Sequence, residues 1–289
     1  MCTQFENKKK LVSVYIPTHN RLKLLKRSVC SVITQTYENI QLIVVNDGST
    51  DGTREYLDSL VESEPQVKVI HNKKPKGACH ARNLAIKSAD GFFVTGLDDD
   101  DFFLPERIEE FVADWWEKEN CFALFSSYSV IHNNTSISSY KRVRNPSLKK
   151  HFLRNGIGNQ VFSTKENYIK SGLFDEELKV LQDFEFWYRF MSNGKVERVE
   201  NYSYVFDHSH DSIRISKSKA KSILDSVEYI IKKHNLDRRS RVRFRIFSEN
   251  YNYSGKLIKN LFFALITFDF RAVYLGLKVL MKKIIRPSN

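Results

Sequence analysis

Apolar residues change their spacing several times along the chain, and each change marks an element. Leu11 to Ile16 is a short β-rich run stopped by Pro17. Between Arg21 and Thr36, Leu25, Val29, Val32 and Ile33 recur at helical spacing, with Lys23, Lys26 and Arg27 on other faces. Ile40 to Val45 is an unbroken apolar strand ended by Asn46-Asp47-Gly48-Ser49, and Thr50 or Asp51 caps a helix running to about Glu62. Val67 to Ile70 reads as a third strand, and Gly77 to Asn83 leads a helix ending near Ala89. Phe92 to Leu97 is a short buried strand, Pro105 opens a helix through Trp116, and Cys121 to Val130 and Tyr202 to Phe206 are further strands. Strands alternating with helices of this length predict an α/β fold. It is Rossmann-like, a mostly parallel sheet flanked by helices on both faces.

The end of the Phe92 to Leu97 run adds chemistry to this pattern. Four consecutive carboxylates follow it, Asp98 to Asp101. One aspartate ahead of a proline-led helix is a good cap and a second gains from the helix N-terminus, but capping does not need four. Neighbouring carboxylates at the end of a buried strand repel, so they share protons or hold a cation. Oxygen ligands favour Mg²⁺ or Mn²⁺, which keep waters and bind phosphates on their far side. Parallel topology brings Thr18-His19-Asn20, Asp47 and the four aspartates to one rim, where ligands of open α/β sheets bind. The bland alternative is a solvated acidic loop. No GxGxxG follows the first strand and no GxxxxGK[ST] is present, which excludes a dinucleotide dehydrogenase and a P-loop enzyme.

Composition adds an asymmetry. The net charge is +12, and from Lys217 to Asn289 there are seventeen Lys or Arg against five Asp or Glu, so the whole excess lies there. The pattern predicts a neutral catalytic body and a basic C-terminal helical extension facing a polyanion or an anionic membrane. Four scattered cysteines form no CxxC pair and read as reduced thiols in a cytoplasmic protein. No apolar signal core precedes the first strand, and no run nears the about 20 apolar residues of a membrane span. The expectation is therefore a protein neither exported nor integral to a membrane.

Ser13-Val-Tyr-Ile-Pro-Thr-His-Asn-Arg21, Val44-Val-Asn-Asp-Gly-Ser-Thr-Asp51, the Gly77 to Asn83 segment and Leu97-Asp-Asp-Asp-Asp-Phe-Phe-Leu-Pro105 resemble the successive signatures of family 2 glycosyltransferases. Those are inverting, nucleotide-sugar-dependent enzymes of the GT-A fold. The resemblance covers about the first 215 residues and implies a nucleotide-sugar half over about 11–105, an acceptor half over about 106–215 and a basic helical region over 216–289. It assigns Pro17, Thr18, His19, Asn20 and Asp47 to the nucleoside, with His19 stacking on uracil and Asp47 accepting its ring N–H. A plain turn at Asp47 is the alternative. Arg21 is a diphosphate neighbour only. Arg82 and Asn83, at a helix start, face the same rim. In the family's acidic motif, Asp98 or Asp99 contacts the ribose and Asp100 holds Mn²⁺ or Mg²⁺ on the diphosphate. Similar proteins carry a histidine near here that reaches the metal or diphosphate, and His210 fits its spacing better than His208; a structural histidine is the alternative.

A general base must deprotonate the attacking sugar hydroxyl. Read as a helix, Leu181 to Met191 puts Asp183, Trp187, Phe190 and Met191 on one face, so Asp183 points with the apolar residues. Glu185 has Arg189 four residues on, an ordinary surface pair. This selects Asp183, and the family's Glu-Asp motif selects it too, although Gln182 replaces the usual Glu. Gly156 to Gln160 and Gly172 to Asp175 resemble acceptor-side loops. The expected reaction moves a hexose from a UDP-sugar to a lipid-linked or oligosaccharide acceptor in O-antigen or capsule synthesis. The enzyme would sit on the inner face of the cell membrane, held at an anionic surface through 217–289, with no nucleic acid expected. The rivals are a GT-A-like nucleotidyltransferase and a nucleic-acid-binding protein.

Overall fold

The computed structural model describes residues 9–132, 136–144, 146–158, 160–209, 220–249, 257–266 and 268–285. Its strands are β1 (Val12–Thr18), β2 (Ile40–Asp47), β3 (Val67–Asn72), β4 (Phe93–Gly96), β5 (Phe102–Phe103), β6 (Cys121–His132), β7 (Ser136–Tyr140), β8 (Phe162–Thr164) and β9 (Lys195–Asp207). The helices are α1 (Leu22–Ile33), α2 (Thr53–Ser63), α3 (Ala78–Ser88), α4 (Arg107–Glu117), α5 (Leu148–His151), α6 (Lys165–Lys170) and α7 (Gln182–Asn193). Four more follow: α8 (Ala220–Lys233), α9 (Arg238–Ser248), α10 (Leu257–Ile266) and α11 (Phe270–Ile285).

All nine strands join one sheet in the order β3-β2-β1-β4-β8-β6-β9-β5, with β7 paired to β6 off this path. The expected parallel half is β3-β2-β1-β4, every neighbour parallel. Beyond β4 the sheet turns mixed: β8 is antiparallel to β4 and β6, β6 is parallel to β9, and β5 and β7 pair antiparallel. The short strands β5, β7 and β8 carried too few residues to show a period. β2 reads as a continuous apolar run because it is covered on both faces. Val14, Ile16, Leu42 and Val44 pack with Leu25, Val29 and Val32 of α1, the helical stripe expected from sequence.

The residues divide into two compact units. One comprises Met1–Asn145, Ile157–Glu176 and Arg189–Asp211; the other Pro146–Gly156, Glu177–Tyr188 and Ser212–Asn289. The second unit therefore adds two segments from the acceptor half to the C-terminal helices. Its interior is aromatic and aliphatic, with Phe152, Phe184, Ile223, Val227, Ile230, Phe244 and Phe247 in one cluster. Val242, Ile246, Leu257, Leu261, Ala272 and Val279 join α9, α10 and α11 in another. Among the described residues no helix is long and apolar enough to cross a membrane.

Candidate active site

Strands β1, β2 and β4 run parallel, so their C-terminal ends open on the same edge and deliver the predicted residues together. The loop after β1 is laced to the loop after β2. Asn20 is left-handed at φ 52°. Its Oδ1 accepts from the Thr50 N–H at 2.7 Å, and its own N–H donates to Ser49 Oγ at 2.9 Å. His19 Nδ1 lies 2.8 Å from the Asp47 carbonyl, which can only accept. The ring therefore carries its proton on Nδ1, leaving Nε2 to accept from Asn20 Nδ2 at 3.2 Å.

Asp47 is buried, and its carboxylate gathers the 72–77 segment. It accepts from Asn72 Nδ2 at 2.7 Å, from the Lys76 N–H at 2.9 and 3.0 Å, and from the Gly77 N–H at 2.7 Å. Gly48 lies under this loop at φ 71°, and a Cβ there would come within 2.8 Å of Pro75. Asn83 turns toward the 172–176 loop. It donates to the Phe174 carbonyl at 2.8 Å and Glu176 Oε1 at 2.9 Å, and accepts from the Phe174 N–H at 2.8 Å. Arg82 does reach the acidic turn, with Nη2 3.1 Å from Asp98 Oδ1.

The four aspartates split by environment. Asp98 accepts from Arg82 and, at 3.2 Å, from Gln160 Nε2. Asp99 accepts from Thr18 Oγ1 at 2.8 Å and from Arg21 Nη1 at 2.9 Å, while Asp100 accepts from the same Nη1 at 3.0 Å. Asp101 is fully enclosed, receiving the Tyr204 hydroxyl at 2.8 Å and the Asp207 N–H at 3.2 Å. Burial pushes the Asp99 carboxyl up to about 6, with Arg21 pulling it down and Asp100 pushing it further up. Burial raises Asp101 well above the carboxylate range, reinforced by Asp100 and Asp98. Asp101 thus fixes β5 and β9 beside the rim. Asp98 and Asp100 keep the larger side-chain exposure, 22% and 13% against 8% for Asp99.

Helix α1 grips the turn from below. Ser28 Oγ lies 2.9 and 2.6 Å from the carbonyls of Asp99 and Asp101. Arg27 donates to the Asp100 carbonyl at 2.7 Å and to Asp207. Burial pushes Asp207 up, but the Ser209 hydroxyl and Arg27 outweigh it and hold the carboxyl at about 2. Arg21 and Arg82 supply cations to three of the four adjacent acids, Asp98, Asp99 and Asp100. No group of three or more His, Cys, Asp or Glu among the described residues is arranged to hold a metal. A divalent ion bound mainly through a diphosphate and water needs only one or two carboxylates. Asp98 and Asp100, hard oxygen donors at the rim, fit that requirement. His210 lies outside the described residues. His208 is exposed, with its ring 5.5 Å from that of His132.

Gln160 was placed by sequence only in a loop that shapes specificity. Its Oε1 accepts from Tyr15 OH at 3.0 Å while its Nε2 holds Asp98. Gly96 makes this possible, since a Cβ there would come within 2.2 Å of Gln160 Oε1 and 2.4 Å of the Tyr15 ring. The glycine interrupting the Phe92 to Leu97 run was the available signal.

In the second unit, Asp183 stands in the first turn of α7, half-buried, and accepts from Asn155 Nδ2 at 3.0 Å. The residue before α7, Leu181, is left-handed at φ 60°, a conformation costly for a branched side chain. The Gln182 amide donates to the carbonyls of Leu178 and Lys179 at 3.0 and 3.2 Å, contacts that a glutamate could not make. One expectation is corrected here. Glu185 is no surface residue: it is 0% exposed and meets Lys233 Nζ at 2.9 Å and His234 Nε2 at 2.8 Å. Arg189 donates to the carbonyls of Ser171 and Leu173. Phe184, Phe186, Trp187 and Phe190 are buried as Glu185 is, and only Ser192 and Asn193, at the end of α7, are exposed.

The profile of Glycosyl transferase family 2 matches residues 13–194. The putative colanic acid biosynthesis glycosyl transferase WcaA of Escherichia coli K12 is 34% identical over 220 residues, 73% of this chain and 77% of WcaA. The Escherichia coli enzyme WfgD, a UDP-Glc:alpha-D-GlcNAc-diphosphoundecaprenol beta-1,3-glucosyltransferase, is 33% identical over 51% of this chain and 57% of its own length. Among solved structures, S. aureus TarS residues 1–349 superpose with a TM-score of 0.64 at 19% identity, over 82% of this chain and 71% of that one. This shared architecture is the GT-A fold. The chain belongs to Glycosyl transferase family 2 and is a glycosyltransferase.

Proposed function

We propose that this protein is an inverting hexosyltransferase that takes its sugar from a UDP-sugar and passes it to a lipid-linked glycan during cell-surface polysaccharide synthesis. The observation that carries the reading is the acidic turn after β4. Asp98 and Asp100 stand at the rim, clamped by Arg21 and Arg82, next to the laced loops of His19 and Asp47. The relatives supply the substrate classes: WfgD is named for UDP-Glc and a diphosphoundecaprenol acceptor, and TarS has been crystallised with UDP-GlcNAc.

His19, Asn20 and Asp47 bind the nucleoside, with the His19 ring under the base and the Asp47 loop shaping its edge. Thr18 and Asp99 border the ribose. Arg21 and Arg82 have only to swing from carboxylate to diphosphate, exchanging one anion for another. Asp98 and Asp100 would hold Mn²⁺ or Mg²⁺, which supplies charge neutralisation on the departing UDP. The mannosyltransferase PcManGT, a structural neighbour at 16% identity and TM-score 0.58, was solved with GDP-Man and Mn²⁺. Asp183, its carboxylate oriented by Asn155, takes the proton from the acceptor hydroxyl. That hydroxyl attacks the anomeric carbon from the face opposite UDP, so configuration inverts. The enzyme works on the inner face of the cell membrane, where a lipid-linked acceptor is presented. A panel of nucleotide sugars assayed for metal-dependent UDP release is the test. One UDP-hexose should be turned over, faster with acceptor, whereas pyrophosphate release would make the protein a nucleotidyltransferase and end this reading.

A further inference from the structure

Helices α10 and α11 each bury one side in the second unit and expose an apolar stripe on the other. On α10 the exposed residues are Ile258 (76%), Phe262 (60%), Leu265 and Ile266; on α11 they are Phe270, Tyr274 (70%), Leu277 and Met281 (60%). The steps Ile258–Phe262–Leu265 and Phe270–Tyr274–Leu277–Met281 are of three or four residues, with Ile266 beside Leu265, so each helix shows a continuous face. The buried sides are fixed by Leu257, Leu261, Ala264, Ala272 and Val279. Gly276 lets the helices meet, because a Cβ there would come within 2.4 Å of Leu261. The stripe is therefore the outer surface of a packed hairpin and not a core left open by misplacement.

Charge decides what covers it. The one acidic residue after Glu249 is Asp269, which is buried, caps α11 through the Ala272 N–H, and pairs with Arg243 at 2.6 Å. After Asn250 the sequence holds seven Lys or Arg against that one acid, and among the described side chains Arg271 and Lys278 are exposed on α11 beside the stripe. Three arginines of α9 are already engaged within the second unit. Arg243 goes to Asp269, Arg245 makes a double contact with Glu228 at 2.8 and 2.7 Å, and Arg241 donates to the Leu236 carbonyl.

We propose that the outer face of the α10–α11 hairpin is the membrane-docking surface, lying in the plane of a bilayer of anionic phospholipid. Phe262, Tyr274 and Leu277 enter the acyl boundary and Arg271 and Lys278 meet the headgroup phosphates. A 16-residue helix is about 24 Å long, short of the hydrocarbon core, so it lies in the interface and does not span it. A second copy of the chain would bring a segment of the same positive sign against this face. The proposal deepens the peripheral-membrane reading above by naming the residues that carry it.

The full-length protein is tested by co-sedimentation with vesicles of phosphatidylglycerol and phosphatidylcholine, and with phosphatidylcholine alone. It binds the anionic vesicles selectively. Phe262→Ser/Tyr274→Ser/Leu277→Ser, at exposed positions, keeps its thermal transition and binds about tenfold less well or worse. Lys278→Gln weakens binding about fivefold. Wild-type binding by the triple variant overturns the proposal. So does a failure of the unaltered protein to bind, or a dimer that the triple substitution turns into monomer. UDP release is measured on the same samples. Vesicle binding that depends on the stripe without any UDP release supports the docking surface while removing the UDP-sugar reading.

Discussion

Arg21 Nη1 lies 2.9 Å from Asp99 Oδ1 and 3.0 Å from Asp100 Oδ2, so a single guanidinium nitrogen bridges two adjacent carboxylates. Two acids on successive residues cannot both stay ionised next to a buried strand unless a cation stands between them. Arg21→Ala should therefore lower folding stability by about 2 kcal/mol, the scale of a lost charge-assisted hydrogen bond. Arg21→Lys should recover only part of it, because an ammonium lacks the planar fork. Urea unfolding of the three proteins checks this, and an unchanged midpoint in Arg21→Ala would show that the bridge contributes nothing.

Between pH 4 and 6.5 two buried groups act on stability in opposite senses. Asp99 has its folded pKa raised to about 6, so the folded state binds its proton more tightly and stability falls as pH rises from about 4 to 6. Burial pushes His151 down to about 4 while its Nε2–H donates to the Phe184 carbonyl at 2.7 Å. The unfolded chain then binds the proton more tightly, and stability is lost as pH falls from about 6.5 to 4. Asp99→Asn should steepen the loss on acidification, and His151→Gln, which keeps an amide donor, should flatten it. Chemical denaturation at several pH values separates the two; identical pH slopes in all three proteins would contradict both assignments.

Glu185 shows where periodicity stops being informative. On sequence, Glu185 and Arg189 made a surface pair and Asp183 pointed inward; in the structure Glu185 is buried and Asp183 only half so. A helix exposed only at its last residues has no polar face to set its phase, and the partners of Glu185, Lys233 and His234, lie 48 and 49 residues away in the chain. The parallel half of the sheet was legible because each of its strands is an apolar run with its own turn signal. The acidic turn was legible as a place needing cations. That Arg21 and Arg82 supply them was not, since the start of α1 and α3 meet the turn only in the fold.

Glu185→Ala takes away the buried anion shared by His234 and by Lys233, whose side chain keeps 30% exposure. Losing charge-assisted hydrogen bonds of this kind, partly screened by solvent on the lysine side, costs about 1.5–3 kcal/mol. Guanidinium denaturation should register that loss. Substituting Lys233 as well should return part of it, since the stranded charge goes too; a double variant no more stable than Glu185→Ala would argue against a charge pair.

Gly96→Ala puts a methyl group where Gln160 and Tyr15 now lie, 2.2 and 2.4 Å from the added carbon. Overpacking costs about 1–3 kcal/mol, and Gln160 has to leave Asp98. If Asp98 serves the donor diphosphate, the donor KM rises in Gly96→Ala and in Gln160→Ala alike. A variant that loses stability with donor KM unchanged would confine Gln160 to a structural role.

Asp183 and Asn155 provide the sharpest test of the chemistry. The base must touch the acceptor hydroxyl only as the proton leaves, so Asp183→Asn should cut kcat by about 10²–10⁴ while UDP-sugar binding survives. Asn155 donates at 3.0 Å to one carboxylate oxygen and thereby turns the group. Asn155→Ala should lower kcat about tenfold, the worth of one hydrogen bond, at constant donor KM. Asn155→Ser, a shorter donor, should fall between the two. The discriminating experiment adds Asn155→Ala to Asp183→Asn. An amide acting only through the carboxylate has nothing left to orient, so the second substitution should cause no further loss. Additive losses would mean that Asn155 contacts the acceptor on its own account, and near-normal turnover in Asp183→Asn would move the proton transfer to another group.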